Sequence, residues 1–275
     1  MNSDPRTASA GWALSVDPGL DIHFPDNRLD LQYGPGTFGP KPEYRSLDSI
    51  RPSLRDPSCT GPDPVYAIAM DVGRTEDRSE LKERLLLFGI VICAIGKLGD
   101  EPVRTQGHVH AVAPHCGWST PELFEIWQGH AIIYAQEKSD DDPGRCVAIE
   151  AGPGERVVMP PGWAHYVVNA DTDSQLIFGA CCDRQYGFDY TQMRAHHGLA
   201  WLPVFGDGGE INWDANPNYL ASTLGRRKAR TYPELGLSTA LPIYESFRLH
   251  PESAQWVSDP GGIYCVEARL PILTG

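Results

Sequence analysis

Between Val65 and Cys182 the chain runs through short apolar or alternating stretches: VYAIAM, LLLFGIVICAIG, RTQGHVH, ELFEIW, HAIIYAQ, CVAIE, RVVM, HYVVNA and QLIFGACC. Turn clusters such as KLGDEP, SDDDPG, GPGE and NADTDS separate them. Stretches of this length bounded by Gly, Pro, Asn and Asp read as strands, and nine at close spacing argue for an antiparallel barrel or sandwich of jelly-roll type. The 28 glycines and 24 prolines are spread throughout, which suits many short strands better than long helices. Residues 1–60, with YGPGTFGPKP and RPSLRDPSCTGPDP, are rich in turn formers and read as a wrapping segment. Residues 61–190 read as the barrel. Residues 191–275 read as a mixed, partly helical extension packed on it, with short helices expected in YTQMRAHHGLAW, NPNYLASTLGRRKART and PELGLSTALPIYESFRL.

A chain of 275 residues buries a sizeable core without cross-links. Its net charge of -13, from 36 acidic and 23 basic residues, argues against a nucleic-acid surface or an anionic membrane, both of which need local positive charge. Small molecules and other protomers are the expected partners. The cysteines, Cys59, Cys93, Cys116, Cys146, Cys181, Cys182 and Cys265, are odd in number and irregular in spacing, so they read as reduced thiols of a cytoplasmic protein. The N-terminal MNSDPRTASAGWALSVDPG lacks a basic region followed by an apolar core, and no apolar run reaches membrane-spanning length. The expectation is a soluble, unexported protein.

The chemistry-bearing residues sit inside the strand region. Successive side chains of a strand point to opposite faces, so His108 and His110 in GHVH share a face. In ELFEIW, Glu122 and Glu125 lie on opposite faces, and parity alone does not say which points inward. A third histidine, His165, follows the turn in MPPGWAHYVVN. Three histidines with one carboxylate suit Fe, Mn, Ni or Zn, whereas an all-oxygen Mg or Ca site would not use them. Gly154, five residues, Pro160, one residue, Gly162, two residues, His165, three residues and Asn169 reproduce the spacing of the second cupin motif. Glu122, six residues and Gly129 reproduce the tail of the first cupin motif, which selects Glu122 as the inward carboxylate. The first motif departs in one place: eleven residues, AVAPHCGWSTP, separate His110 from Glu122 where three or four are usual.

From about Tyr44 to about Tyr219 the chain resembles the cupin-type phosphoglucose isomerases. YRSLDSI, DPVYAIAM, LLLFGIVICAIGKLGDEPVRTQGHVH, PELFEIWQG, PPGWAHYVVN, YGFDY and INWDANPNY carry the likeness in order. The resemblance implies a jelly-roll homodimer that binds one divalent transition metal and interconverts an aldose phosphate with its ketose. It implies His108, His110, Glu122 and His165 as metal ligands, and Glu122 as the carboxylate that moves the proton between C1 and C2. Tyr186 matches the active-site tyrosine, Thr105 and Gly107 match positions near the phosphate, and Tyr66 matches a pocket tyrosine. A metal-promoted hydride shift is the competing route.

Several positions depart from the family. Ile90 and Val91 stand where a pair of threonines helps bind the phosphate, and a site loses discrimination when hydrogen-bonding groups vanish. Arg184 is taken as a substitute substrate-binding residue, with Arg104 beside it. Cys182, Asp183, Arg184 and Gln185 replace A-G-H-D, Phe124 replaces a tyrosine, and the hairpin insertion and C-terminal extension have no counterpart. In the insertion, His115 and Cys116 are expected at an exposed, mobile loop tip rather than on the metal. Trp118 is expected to pack against the extension. His196 and His197 read as helix-surface residues, one of Cys181 and Cys182 as a small buried hydrophobe, and residues 139–142 as a solvated hairpin tip. Two other functions compete with the isomerase: a cupin isomerase, epimerase or Fe(II)-dependent oxygenase with another polar substrate, and a non-catalytic ligand-binding cupin.

Overall fold

A computed structural model describes residues 14–25 and 28–264; Cys265 and the stretch up to residue 13 lie outside the described residues. The elements that frame the site are β1 (Thr37–Phe38), β2 (Glu43–Arg45), β3 (Tyr66–Arg74), β4 (Leu86–Cys93), β5 (Val109–His110), β6 (Glu122–Gln128), β7 (Ala131–Gln136) and β8 (Cys146–Ala151). They continue with β9 (Arg156–Met159), β10 (Ala164–Asn169), β11 (Leu176–Asp183), β12 (Phe188–Asp189), β13 (Trp201–Phe205), β14 (Ile211–Ala215) and β15 (Leu224–Lys228). A seven-stranded sheet runs β9, β6, β11, β4, β3, β1, with β2 also on β3, and a four-stranded sheet runs β10, β7, β8, β15. The two sheets enclose a jelly-roll interior, as the strand rhythm implies.

The interior core takes one face of each sheet: Tyr66, Val91, Phe124, Ile126 and Phe178 from the larger, and Ile133, Val147, Ile149 and Val167 from the smaller. The larger sheet's other face is buried too, by Leu20, Ile22 and Phe24 of the N-terminal segment and Tyr244, Phe247, Trp256 and Val257 of the C-terminal one. This explains the uninterrupted apolar sequences of β4 and β11: strands covered on both faces have no solvent side to mark with polar residues. The smaller sheet's outer face is covered by Met193, Leu199 and Tyr219, with Trp201 and Trp213 packed against them. Each fully buried Leu or Phe contributes about 1.5–3 kcal/mol, so the two coverings are a substantial share of the fold's stability.

The flanking segments also join the barrel through backbone. β1 and β2 pair with β3, and β15 runs parallel to β8 from Cys146↔Leu224 to Glu150↔Lys228. NPNYLASTLGRRKART therefore supplies an edge strand rather than a helix, and β13 and β14 form a hairpin where no strand was expected. Helices do form at α1 (Thr191–Ala195) and α2 (Ile243–Leu249), followed by α3 (Gln255–Ser258). His196 is not a helix-surface residue: it is buried, stacked on Tyr219 at 4.3 Å and joined to Asp141 at 2.9 Å, while His197 is exposed. Cys181 and Cys182 are both buried, on opposite faces of β11.

Candidate metal centre

Three strands, β5 with the bridge residue before it, β6 and β10, deliver four side chains to one point. His108 and His165 are bridged backbone to backbone, each N–H donating to the other's carbonyl at 3.0 Å. Gly107, which precedes His108, has φ +89°, a left-handed conformation that a residue with a Cβ adopts only with strain. His110 lies on β5 opposite Phe188 of β12, and Glu122 opens β6 opposite Met159. Gly129, at φ +78° in the β6–β7 turn, packs so tightly that a Cβ would meet the Gln175 carbonyl at 2.7 Å, so the hairpin register that aims Glu122 inward needs glycine there.

The ligand atoms of His108, His110, Glu122 and His165 all lie within 4.8 Å of one another, and among the described residues this is the one group of three or more His, Cys, Asp or Glu so placed. The three Nε2 atoms face a single oxygen, Glu122 Oε2, at 4.0 Å from His108, 3.1 Å from His110 and 3.2 Å from His165. Backbone carbonyls fix two tautomers. His110 Nδ1 donates to Thr120 O at 2.9 Å and His165 Nδ1 to Trp163 O at 3.1 Å, which turns each Nε2 lone pair toward the centre. His108 Nε2 and His110 Nε2 are buried without a hydrogen-bond partner. Buried polar atoms are rarely left so, and converging imidazole lone pairs beside a carboxylate make a donor set that a divalent cation fits.

The electrostatics are those of a site waiting for positive charge. Burial, reinforced by His165 and His110, holds His108 well below the usual histidine range. Burial also opposes charge on His110, but proximity to the Glu122 carboxylate raises it above its ordinary value. Burial works to raise Glu122, yet the close approach of the His110 and His165 rings holds its carboxyl well below the usual range, so it is ionised. Glu125, on the other face of β6, takes no part: Arg156 Nε donates to it at 2.9 Å and Trp127 Nε1 at 3.1 Å.

The other expected site residues fall into two groups. Tyr66 is buried in the interior, its hydroxyl accepting from Gln106 N at 3.3 Å. Thr105, two residues before Gly107, accepts at Oγ1 from the N–H of Val167, on the same strand as His165, at 3.0 Å. Tyr186 is a ring removed from the cluster: it packs, tilted, at 5.1 Å against Phe188, which lies 4.2 Å from His108. Arg184 lies apart, its guanidinium engaged by Asp71 at 2.7 Å and the Leu86 carbonyl at 3.1 Å. Arg104 is locked in a fully buried pair with Glu101. Val91 faces the interior, but Ile90 belongs to the outer layer, so one site-facing position of the threonine pair has become hydrocarbon, not two.

Phe188, Tyr190, Gln106 and Arg194 were not singled out by sequence. The alternation in YGFDY was the available signal, because Tyr186, Phe188 and Tyr190 form a continuous run of rings, with Phe188 and Tyr190 against His108. The insertion after His110 closes on itself through Ala113 N→Trp118 O at 2.8 Å and the Val112↔Ser119 bridge. His115 faces away from the cluster: its Nε2 reaches Ser258 O at 2.8 Å and Asp183 at 3.2 Å. Trp118 Nε1 lies beside Gly261, so this loop does pack on the C-terminal segment.

The glucose-6-phosphate isomerase (GPI) family profile matches residues 53–220. A glucose-6-phosphate isomerase of Thermococcus onnurineus is 31% identical over 57% of this chain and 72% of its own length, and one of Pyrococcus furiosus is 31% identical over 51% and 68%. A putative glucose-6-phosphate isomerase 1 of Rhizobium meliloti is 28% identical over 52% and 65%. Among solved structures, an oxalate oxidase matches with TM-score 0.34 and 12% identity over 46% of this chain and 55% of its own. A vicilin from Solanum melongena matches with TM-score 0.34 and 10% identity over 47% of this chain, which spans about a third of the vicilin, 32%. Both structural likenesses are too slight to bear on chemistry.

Proposed function

The chain belongs to the cupin-type glucose-6-phosphate isomerase family, and we propose that it interconverts an aldose phosphate and its ketose, glucose 6-phosphate and fructose 6-phosphate in the simplest case. The observation that carries this reading is the convergence of His108, His110, Glu122 and His165 around unpartnered imidazole nitrogens. In this reading those four residues hold one divalent transition metal, Fe, Mn, Ni or Zn. Such an ion, when bound, supplies Lewis acidity to the neighbouring oxygens on C1 and C2 of the sugar.

The chain's own residues do the rest. Glu122 is ionised, so it is a base; it removes the proton from C2 of the aldose and returns it to C1 as the ketose forms, while a second proton passes from the C2 hydroxyl to the C1 oxygen. The imidazole contacts all fall on Oε2, which leaves Oε1 to face substrate. Phe124 and Phe188, whose rings lie 5.7 Å from His165 and 4.2 Å from His108, line the site with hydrocarbon and keep water from the reacting carbons. Tyr66, Thr105 and Gly107 border the substrate, with Tyr186 at its outer edge. Thiols supply the support for a cytoplasmic setting: six cysteines among the described residues are unpaired, and no helix among those residues is long and apolar enough to cross a membrane. A homodimer belongs to the same reading.

A coupled assay on fructose 6-phosphate, run with added Mn, Fe, Ni or Zn, tests the proposal. Turnover with at least one metal is expected; silence with all four, or substrate-dependent oxygen uptake instead, would sink it.

A further inference from the structure

The family resemblance sets Thr105 and Gly107 near the phosphate but leaves it without a cationic holder, since Arg104 and Arg184 are engaged by Glu101 and Asp71, and Val91 adds no hydroxyl. Arg45, on β2, is paired with Glu43 at 3.1 Å. Arg194 differs from all three: it is exposed, and it makes no ion pair with any described residue. Its position is nevertheless fixed. Arg194 Nε donates to the side-chain carbonyl of buried Gln106 at 3.1 Å, and its guanidinium carbon sits 5.1 Å from the Tyr190 ring centroid.

Both anchors lead to the metal centre. Gln106 precedes Gly107 and His108 in the chain, and its backbone N–H donates to Tyr66. The Tyr190 ring stands edge-on to His108 at 6.1 Å, and His108 is the most exposed of the four converging residues. Arg194 therefore stands beside the open end of the site, past the ring that borders it. Its single side-chain hydrogen bond among described residues uses Nε, so Nη1 and Nη2 remain as a two-pronged donor face. A guanidinium held at one nitrogen and open at two matches the paired oxygens of a phosphoryl group.

Resting on the isomerase reading, we propose that Arg194 anchors the phosphoryl group of the sugar phosphate, with Gln106 holding the guanidinium in place. The distal phosphate then lies over the α1 segment while C1 and C2 reach the cluster. Arg194 is thus a specificity-determining residue, and it has no part in the proton transfer.

The test uses metal-loaded full-length protein. Arg194→Ala should raise KM for fructose 6-phosphate about 10- to 100-fold, as expected for loss of a charge-assisted contact, with kcat changed less than about threefold and metal content unchanged. Arg194→Lys should recover part of the loss. Calorimetry with a hexitol 6-phosphate and the unphosphorylated hexitol gives an independent readout: wild type should prefer the phosphate form, and Arg194→Ala should lose that preference. Equal affinity for both hexitols in wild type, or a preference that survives Arg194→Ala, would overturn the anchor while leaving an active isomerase intact. If the assay is silent with every metal but the Arg194-dependent preference is present, the isomerase reading falls and the anchor stands.

Discussion

Glu122 and Glu125 are both buried, sit three residues apart on the same strand, and do opposite things. Glu125 points to the outer layer, where every neighbour is a donor: Arg156, Trp127 Nε1 and the backbone N–H of Ile243 at the start of α2. Burial pushes its carboxyl up, with Arg156 pulling against that, and the whole arrangement closes on itself. It ties the C-terminal segment to the sheet. Glu122 points to the interior, where its neighbours are three imidazoles, two of them held with lone pairs turned toward it. A carboxylate ringed by donors is a structural tie; a carboxylate ringed by lone pairs is a cation site. Residue type and burial do not distinguish the two, whereas the character of the partners does.

Substituting each glutamate separates the roles. Glu122→Gln should lower kcat about 10²- to 10⁴-fold in the isomerisation assay while urea unfolding stays near that of wild type, because the lost group is a proton carrier. Glu125→Ala should do the reverse. Leaving Arg156 buried without its partner costs about 3–5 kcal/mol, read as a lower urea midpoint, while the folded fraction keeps its turnover. A shared loss of activity and stability in both variants would erase the distinction.

A smaller effect concerns the join between the insertion and the C-terminal segment. Burial disfavours charge on His115, but the Ser258 carbonyl, Gln185 and Asp183 together raise its pKa above the ordinary value. A raised folded-state pKa means the protonated contact contributes fully below about pH 6.5 and is lost as pH rises through the folded value. Hydrogen exchange across residues 111–121, corrected for intrinsic rate, should show protection falling as pH climbs past that point, and His115→Ala should flatten the trend. Unchanged protection in wild type across the range would mean that His115 does not hold the loop.

Much of this was legible in the sequence because strand chemistry is local. Turn residues punctuate the strands, the parity of GHVH places two histidines on one face, and the fixed interval from Glu122 to Gly129 chooses between the glutamates where parity cannot. The unbroken runs LLFGIVIC and LIFGACC were legible as strands, but the second buried face that explains them depends on distant segments. Long-range pairing was not legible. Leu224–Lys228 is basic and carries no clear alternation, and it becomes a strand because the edge of β8 offers it hydrogen bonds. His196 carries no sign in sequence that Asp141 will meet it. Arg194 is an unremarked arginine until Gln106 and Tyr190 are seen on either side of it.

The central claim is that the two histidines before the insertion and the glutamate after it share one ion with His165. Elemental analysis of purified protein tests it most directly. Wild type and Glu125→Ala should each carry about one divalent transition metal per chain, and His108→Ala combined with His110→Ala should carry essentially none. Metal retained at wild-type stoichiometry by the double variant would contradict the account and place the ion elsewhere.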